Sequence, residues 1–206
     1  MFDPGLIDLV MFLRQKGISD TRILEAFETV PRRYFVAPSL QSEAYANRPL
    51  PIACGQTLPA PLTLAMIAHF ADLKPEHKIL LVGTGSGYFA ALLSKLVRRV
   101  YTLERYKTLC KSAEQRLSQL DITNIVIDHR DGLKGWAGQA PYDRIILVGA
   151  VDKRPKALEA QISKDGALFY VCDQQLMKYK CGGGTAQICT ALDLSLIHIS
   201  EPTRPY

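Results

Sequence analysis

Much that would narrow a function quickly is missing from this chain. No apolar run approaches the ~20 residues that a membrane-spanning helix needs, and residues 1–6 do not read as a signal peptide. There is no C-x-x-C pair and no His/Cys cluster. The five cysteines, Cys54, Cys110, Cys172, Cys181 and Cys189, are odd in number and far apart. Zinc sites and a disulfide framework are therefore not expected, and the thiols read as free in a reducing cytoplasm. The four histidines, His69, His77, His129 and His198, are equally dispersed, so no metal site is expected. No block of like charge occurs either. The net charge of +5 comes from scattered Lys and Arg, which argues against a nucleic-acid partner. A cytoplasmic monomer with no membrane contact is the expectation.

What is present is a strand–turn–helix unit at residues 78–88, K-I-L-L-V-G-T-G-S-G-Y. Apolar Ile79 to Val82 run into Gly83, Gly85 and Gly87, and Phe89, Leu92, Leu93 and Leu96 follow at helical spacing. Around this unit the pattern is regular. Helices are expected over 6–16, stopped by Gly17, and after Asp20 as N-cap, with Ile23, Leu24 and Phe27 inward. A loop-rich stretch over 37–61 carries Pro38, Pro49, Pro51, Pro59 and Pro61, and a helix is expected over 61–70. Strands are then expected at 79–82, 100–103, 125–128, 142–148 and 167–171. Helices should separate them at 88–96, 106–120 and 155–162, with a Gly/Trp loop at 131–141. Short β-branched runs alternating with amphipathic helices imply an α/β fold: a Rossmann-like doubly wound sheet, mostly parallel. Residues 174–180 and 185–192 flank Cys181-Gly-Gly-Gly184 with no room for a helix, which predicts a C-terminal antiparallel hairpin. One domain is expected over 1–194, with N-terminal helices and a substrate loop in 1–75 and a cofactor-binding sheet in 76–194. Residues 195–206, S-L-I-H-I-S-E-P-T-R-P-Y, continue neither pattern and read as a non-native or disordered tail.

A glycine turn after a first strand suits dinucleotides or S-adenosylmethionine. The dinucleotide pattern wants a glycine where Tyr88 stands, so G-x-G-x-G favours S-adenosylmethionine, which has no pyrophosphate to cradle. Gly83, Thr84, Gly85, Ser86 and Gly87 are the expected cofactor turn. Glu104, at the tip of the next strand, can accept both ribose hydroxyls, although it could also be a surface charge paired with Arg105. Asp131 can accept the adenine amino group and Gly132 leaves room for the ring; an Asx-turn is the plain alternative for Asp131. Trp136 is expected over the loop near the cofactor. Cys54 has no histidine close by in sequence and reads as a small buried residue.

Seven segments together resemble the bacterial protein-L-isoaspartate (D-aspartate) O-methyltransferase family. They are V-P-R-R-Y-F-V (30–36), E-A-Y-A-N-R-P-L-P-I (43–52), G-Q-T (55–57), V-G-T-G-S-G-Y (82–88), Y-T-L-E-R (101–105), D-G-L-K-G-W (131–136) and A-P-Y-D-R-I-I (140–146). The resemblance spans roughly residues 6–192, and the P-L-P-I and G-Q-T block separates this family from other S-adenosylmethionine enzymes. It implies methyl transfer to the α-carboxyl of L-isoaspartyl residues in damaged proteins. The ester closes to a succinimide, which hydrolyses partly to normal aspartate. It also implies that Gln56 and Thr57 lie over the methyl and the substrate carboxylate. Two positions depart from the family. Pro59 stands where the family has a serine whose hydroxyl approaches that carboxylate, so the catalytic set here is Gln56, Thr57 and Pro59. Leu81 stands where the family has an acid bracing the turn. Two readings follow: a working, slower methyltransferase, or a catalytically weak or inactive relative that binds cofactor or a protein partner.

Overall fold

The computed structural model describes residues 4–191. Residues 195–206, read above as a tail, lie outside the described residues, as does Leu192 at the end of the expected hairpin.

The chain opens with α1 (Pro4–Gln15), which buries Leu9, Val10 and Leu13. It stops at Gly17, whose φ of +93° only glycine adopts without strain. The amides of Gly17 and Ile18 then bond back to the carbonyls of Arg14 and Leu13 and satisfy the helix end. Asp20 caps α2 (Thr21–Thr29) through the Arg22 amide, as expected, and Ile23, Leu24 and Phe27 face inward. Residues 37–61 are not idle loop. They hold 3-10 turns at Pro38–Glu43 and Ala53–Gly55 and a short antiparallel pairing of Leu50–Pro51 with Thr57–Leu58. Helix α3 (Pro61–Ala71) starts at a proline, where no helical N–H is lost, and the Leu62 amide reaches Asn47 Oδ1 at 3.0 Å.

Seven strands form one sheet: β1 (Lys78–Val82), β2 (Arg99–Glu104), β3 (Ile125–His129), β4 (Tyr142–Ala150), β5 (Ile162–Cys172), β6 (Gln175–Lys180) and β7 (Gln187–Ala191). Their order is β3-β2-β1-β4-β5-β6-β7. The first five are parallel, and β6 and β7 add on antiparallel. Helices α4 (Tyr88–Ser94), α5 (Lys107–Gln119) and the single turn α6 (Lys156–Glu159) supply the crossovers. The pleat of β1 divides the core. Ile79 and Leu81 join the layer under α1–α4, while Leu80 and Val82 join the opposite layer with Leu103, Tyr142, Leu147 and Leu158. Strand order reverses between β1 and β4, and a ligand crevice in such a sheet lies beyond the strand ends at that point.

Two expected boundaries are corrected. The helix at 155–162 shrinks to α6, because β5 begins at Ile162 and pairs with Tyr142 there. The expected hairpin is one half of a three-strand meander. Its first turn, Asp173-Gln174, has φ of +48° and +60° and joins β5 to β6 directly, with Cys172 opposite Gln175.

Candidate functional site

The turn after β1 is built by three left-handed glycines, with φ of +98° at Gly83, +55° at Gly85 and +92° at Gly87. Two of them also permit close packing. A Cβ on Gly83 would stand 2.9 Å from the Val148 carbonyl oxygen of β4, and one on Gly87 3.1 Å from Ala113 Cβ in α5. The turn is thereby clamped between the two strands that flank the switch point and the helix that follows β2.

Its amides are largely committed to protein acceptors. Gly83 and Thr84 donate to the Leu103 carbonyl, Gly87 donates to the Thr84 carbonyl, and Gly85 donates to Glu104 Oε2 at 2.9 Å. A phosphate-binding turn keeps such N–H groups free for the anion. This donor set therefore fits a ligand without phosphates, and S-adenosylmethionine meets that condition where a dinucleotide does not. The side chains of Thr84 and Ser86 are buried and turned inward: Thr84 Oγ1 pairs with Thr102 Oγ1 at 2.8 Å, and Ser86 Oγ accepts from the Tyr88 amide. These two residues offer the crevice backbone rather than hydroxyls.

Glu104 ends β2 with only 6% of its surface exposed. Its second oxygen accepts from the Tyr106 amide at 3.0 Å, so both oxygens are fixed by backbone donors. No ion pair with Arg105 forms; that guanidinium stacks on Tyr106 instead. Each carboxylate oxygen keeps a further lone-pair direction, the arrangement needed to receive hydroxyl hydrogens. Asp131 is exposed and caps the turn Gly132–Lys134 through the Leu133 amide at 3.0 Å, which is the Asx-turn geometry. Glycine is required at Gly132 by packing alone: a Cβ there would lie 2.3 Å from Val82 Cγ1. The room it leaves is filled by the last residue of β1, and that contact draws the Asp131 loop against the glycine turn.

The loop of Gln56, Thr57 and Pro59 reaches the turn through Ile52, whose Cδ1 is 3.4 Å from the position of a Cβ on Gly85. Thr57 is half-buried and sits opposite Pro51, while Gln56 Nε2 donates to the Cys54 carbonyl. Cys54 is exposed, not buried as expected, and carries a left-handed φ of +61° at the tip of the loop. Trp136 lies between the start of the 131–141 loop and the sheet. It stacks edge-on against Tyr101 on the sheet face, with the Arg130 guanidinium over its ring, and its amide donates to Gln161 Oε1 at 2.7 Å. Leu81 is fully buried in the layer under the N-terminal helices, opposite Thr102 and Ile146.

Sequence reading missed Arg32. It is fully buried, and burial pushes its guanidinium down to about 10, still charged at neutral pH. Its signals were its place in the V-P-R-R-Y-F-V segment and its 3-10 spacing with Phe35, which puts both on the inner face while Arg33 stays outside. Among the described residues no group of His, Cys, Asp or Glu could hold a metal ion, and no helix is long and apolar enough to cross a membrane.

The family model for protein-L-isoaspartate (D-aspartate) O-methyltransferases matches residues 7–195. The protein-L-isoaspartate O-methyltransferase of Maricaulis maris is 46% identical over 166 residues, 81% of this chain and 78% of the relative. That of Vibrio cholerae is 42% identical over 168 residues, covering 82% of this chain and 81% of the relative. A Plasmodium falciparum protein described as a candidate member, solved in complex with S-adenosyl-L-homocysteine, superposes with a TM-score of 0.75 at 22% identity, over 90% of this chain and 94% of that one. At that identity the likeness speaks for the fold.

Proposed function

The chain belongs to the protein-L-isoaspartate (D-aspartate) O-methyltransferase family, and from that premise we propose that it methylates the α-carboxylate of L-isoaspartyl residues in damaged proteins. The observation that carries the reading is the closed glycine turn, with its amides spent on Leu103, Thr84 and Glu104. It suits a nucleoside ligand that brings no phosphate. In this reading Gly83, Thr84, Gly85, Ser86 and Gly87 back the cofactor, Glu104 receives its ribose hydroxyls, and Asp131 with Gly132 marks the adenine end.

S-adenosylmethionine would supply, when bound, a methyl group on a sulfonium, whose sulfur leaves as a neutral thioether. The chain's own residues then have little acid–base work to do. A substrate carboxylate is already ionised near neutral pH and is its own nucleophile. What remains is orientation and exclusion of water. Gln56 and Thr57 orient the carboxylate, and the 50–58 arch beside the glycine turn limits solvent there. Pro59 contributes neither a hydroxyl nor an N–H, so this site works with fewer donors than the family's pattern provides.

Those same positions favour a second reading, a cofactor-binding relative with weak or no turnover, since Pro59 removes donors and Leu81 is an apolar core residue. One assay separates the two. Tritiated S-adenosylmethionine is incubated with an isoaspartyl peptide, and base-labile methyl is counted while cofactor binding is measured by calorimetry. Binding with turnover supports the enzyme; binding without turnover supports the second reading; no heat at millimolar cofactor overturns both. The proposal also takes the protein as a cytoplasmic monomer without a nucleic-acid partner, in keeping with its dispersed charge and free thiols.

A further inference from the structure

Arg32 is the joint between the loop and the glycine turn. Its Nη1 donates to the carbonyls of Ala44 at 2.6 Å and Ala46 at 3.3 Å, and its Nη2 to those of Arg48 at 3.2 Å and Pro59 at 3.0 Å. Three of these acceptors precede Gln56 and Thr57 and one follows them, so a single planar fork ties both ends of the arch. On its other side the guanidinium stands 5.9 Å from the ring centre of Tyr88, the first residue of α4. Tyr88 also packs on Phe35 at 5.3 Å between ring centres, and the Phe35 ring lies 3.6 Å from where a Cβ on Gly87 would stand. A buried cation costs several kcal/mol to desolvate, and an apolar side chain of similar volume would serve a purely structural core at least as well. The geometry uses what only arginine offers: several rigidly oriented donors aimed at carbonyls that belong to one functional segment.

We propose that Arg32 is a positioning residue for methyl transfer, fixing residues 44–59 against the glycine-turn end of α4 so that Gln56 and Thr57 hold one arrangement over the reacting carboxylate. Its kinetic consequence rests on the methyltransferase reading; its structural consequence does not.

The test uses Arg32→Lys and Arg32→Met in the full chain, each read in two ways. Hydrogen exchange followed by mass spectrometry should show amides of residues 44–59 exchanging at least ~10-fold faster in Arg32→Lys, with β1 and β2 unchanged. Kinetics should show the KM for an isoaspartyl peptide rising about 10-fold or more, while the calorimetric Kd for S-adenosylhomocysteine moves less than about 3-fold. Arg32→Met, which keeps the bulk, should reproduce both effects. Uniformly faster exchange across the sheet, or an unchanged kcat/KM for the peptide, would mean that Arg32 only stabilises the core and would overturn the proposal. If the wild type does not turn over, the methyltransferase reading fails by itself, and the exchange pattern still decides whether Arg32 pins the loop.

Discussion

Pro59 and Leu81 depart from the family's pattern in one region, yet their surroundings give opposite expectations for reversal. Pro59 is partly exposed at the loop's end, and its carbonyl, the group Arg32 holds, is kept by any residue. Pro59→Ser therefore adds a hydroxyl and an N–H without disturbing that bond. One preorganised donor typically supplies 10²–10³ in rate, so kcat on an isoaspartyl peptide should rise by at least about 10-fold; an unchanged kcat would mean that residue 59 does not face the substrate. Leu81 is different. Its side chain is fully enclosed by the core layer under α1–α4. Leu81→Glu would bury a carboxylate among apolar neighbours and should cost roughly 2–5 kcal/mol, read as a lower thermal midpoint with no gain in cofactor affinity. A tighter Kd at an unchanged midpoint would show that the turn still has a place for the acid.

At the scale of elements, the crossovers were legible because period and punctuation agree. The apolar run of β1, the glycines after it and the helical spacing of Phe89, Leu92 and Leu93 all point the same way, and Asp20 announces α2 by its capping oxygen. The Asp173-Gln174 turn escaped notice because Gln174, unlike Asp173, is not a residue that left-handed backbone favours, and the glycine usual at that second position is missing. Gln174→Gly removes the steric cost of a φ of +60° and should stabilise the protein by about 0.5–1 kcal/mol in urea unfolding; a destabilised variant would mean that the Gln174 side chain contributes contacts outweighing that strain. The candidate site was legible only in part. Glycine spacing and Glu104 were visible, since local geometry dictates them. Arg32, the inward Thr84 and Ser86, and the Val82 contact that requires Gly132 depend on residues far away in sequence, where no periodicity reaches.

For the molecule as a whole, stability should depend on pH through His77, which joins the start of β1 to the start of β2. It is 7% exposed, its Nδ1 accepts from the Lys74 amide at 3.2 Å, and its carbonyl receives Arg98 and Arg99. Burial, and after it the nearby Arg144, hold its pKa below the ordinary 6.5, outweighing Asp143 and Glu76. The unfolded chain thus takes up a proton that the folded one refuses. Stability from this group is complete above about pH 6.5 and declines as pH falls from there toward the folded pKa. Urea midpoints at pH 7.5 and 5.5 should show that loss, and His77→Gln should reduce it. Function is tested most directly on a matched pair of peptides, one with L-isoaspartate and one with normal aspartate at the same position, offered with tritiated S-adenosylmethionine. The account predicts methyl ester on the isoaspartyl peptide and essentially none on its twin. Equal labelling of both, or labelling of neither by protein that binds the cofactor, would contradict it.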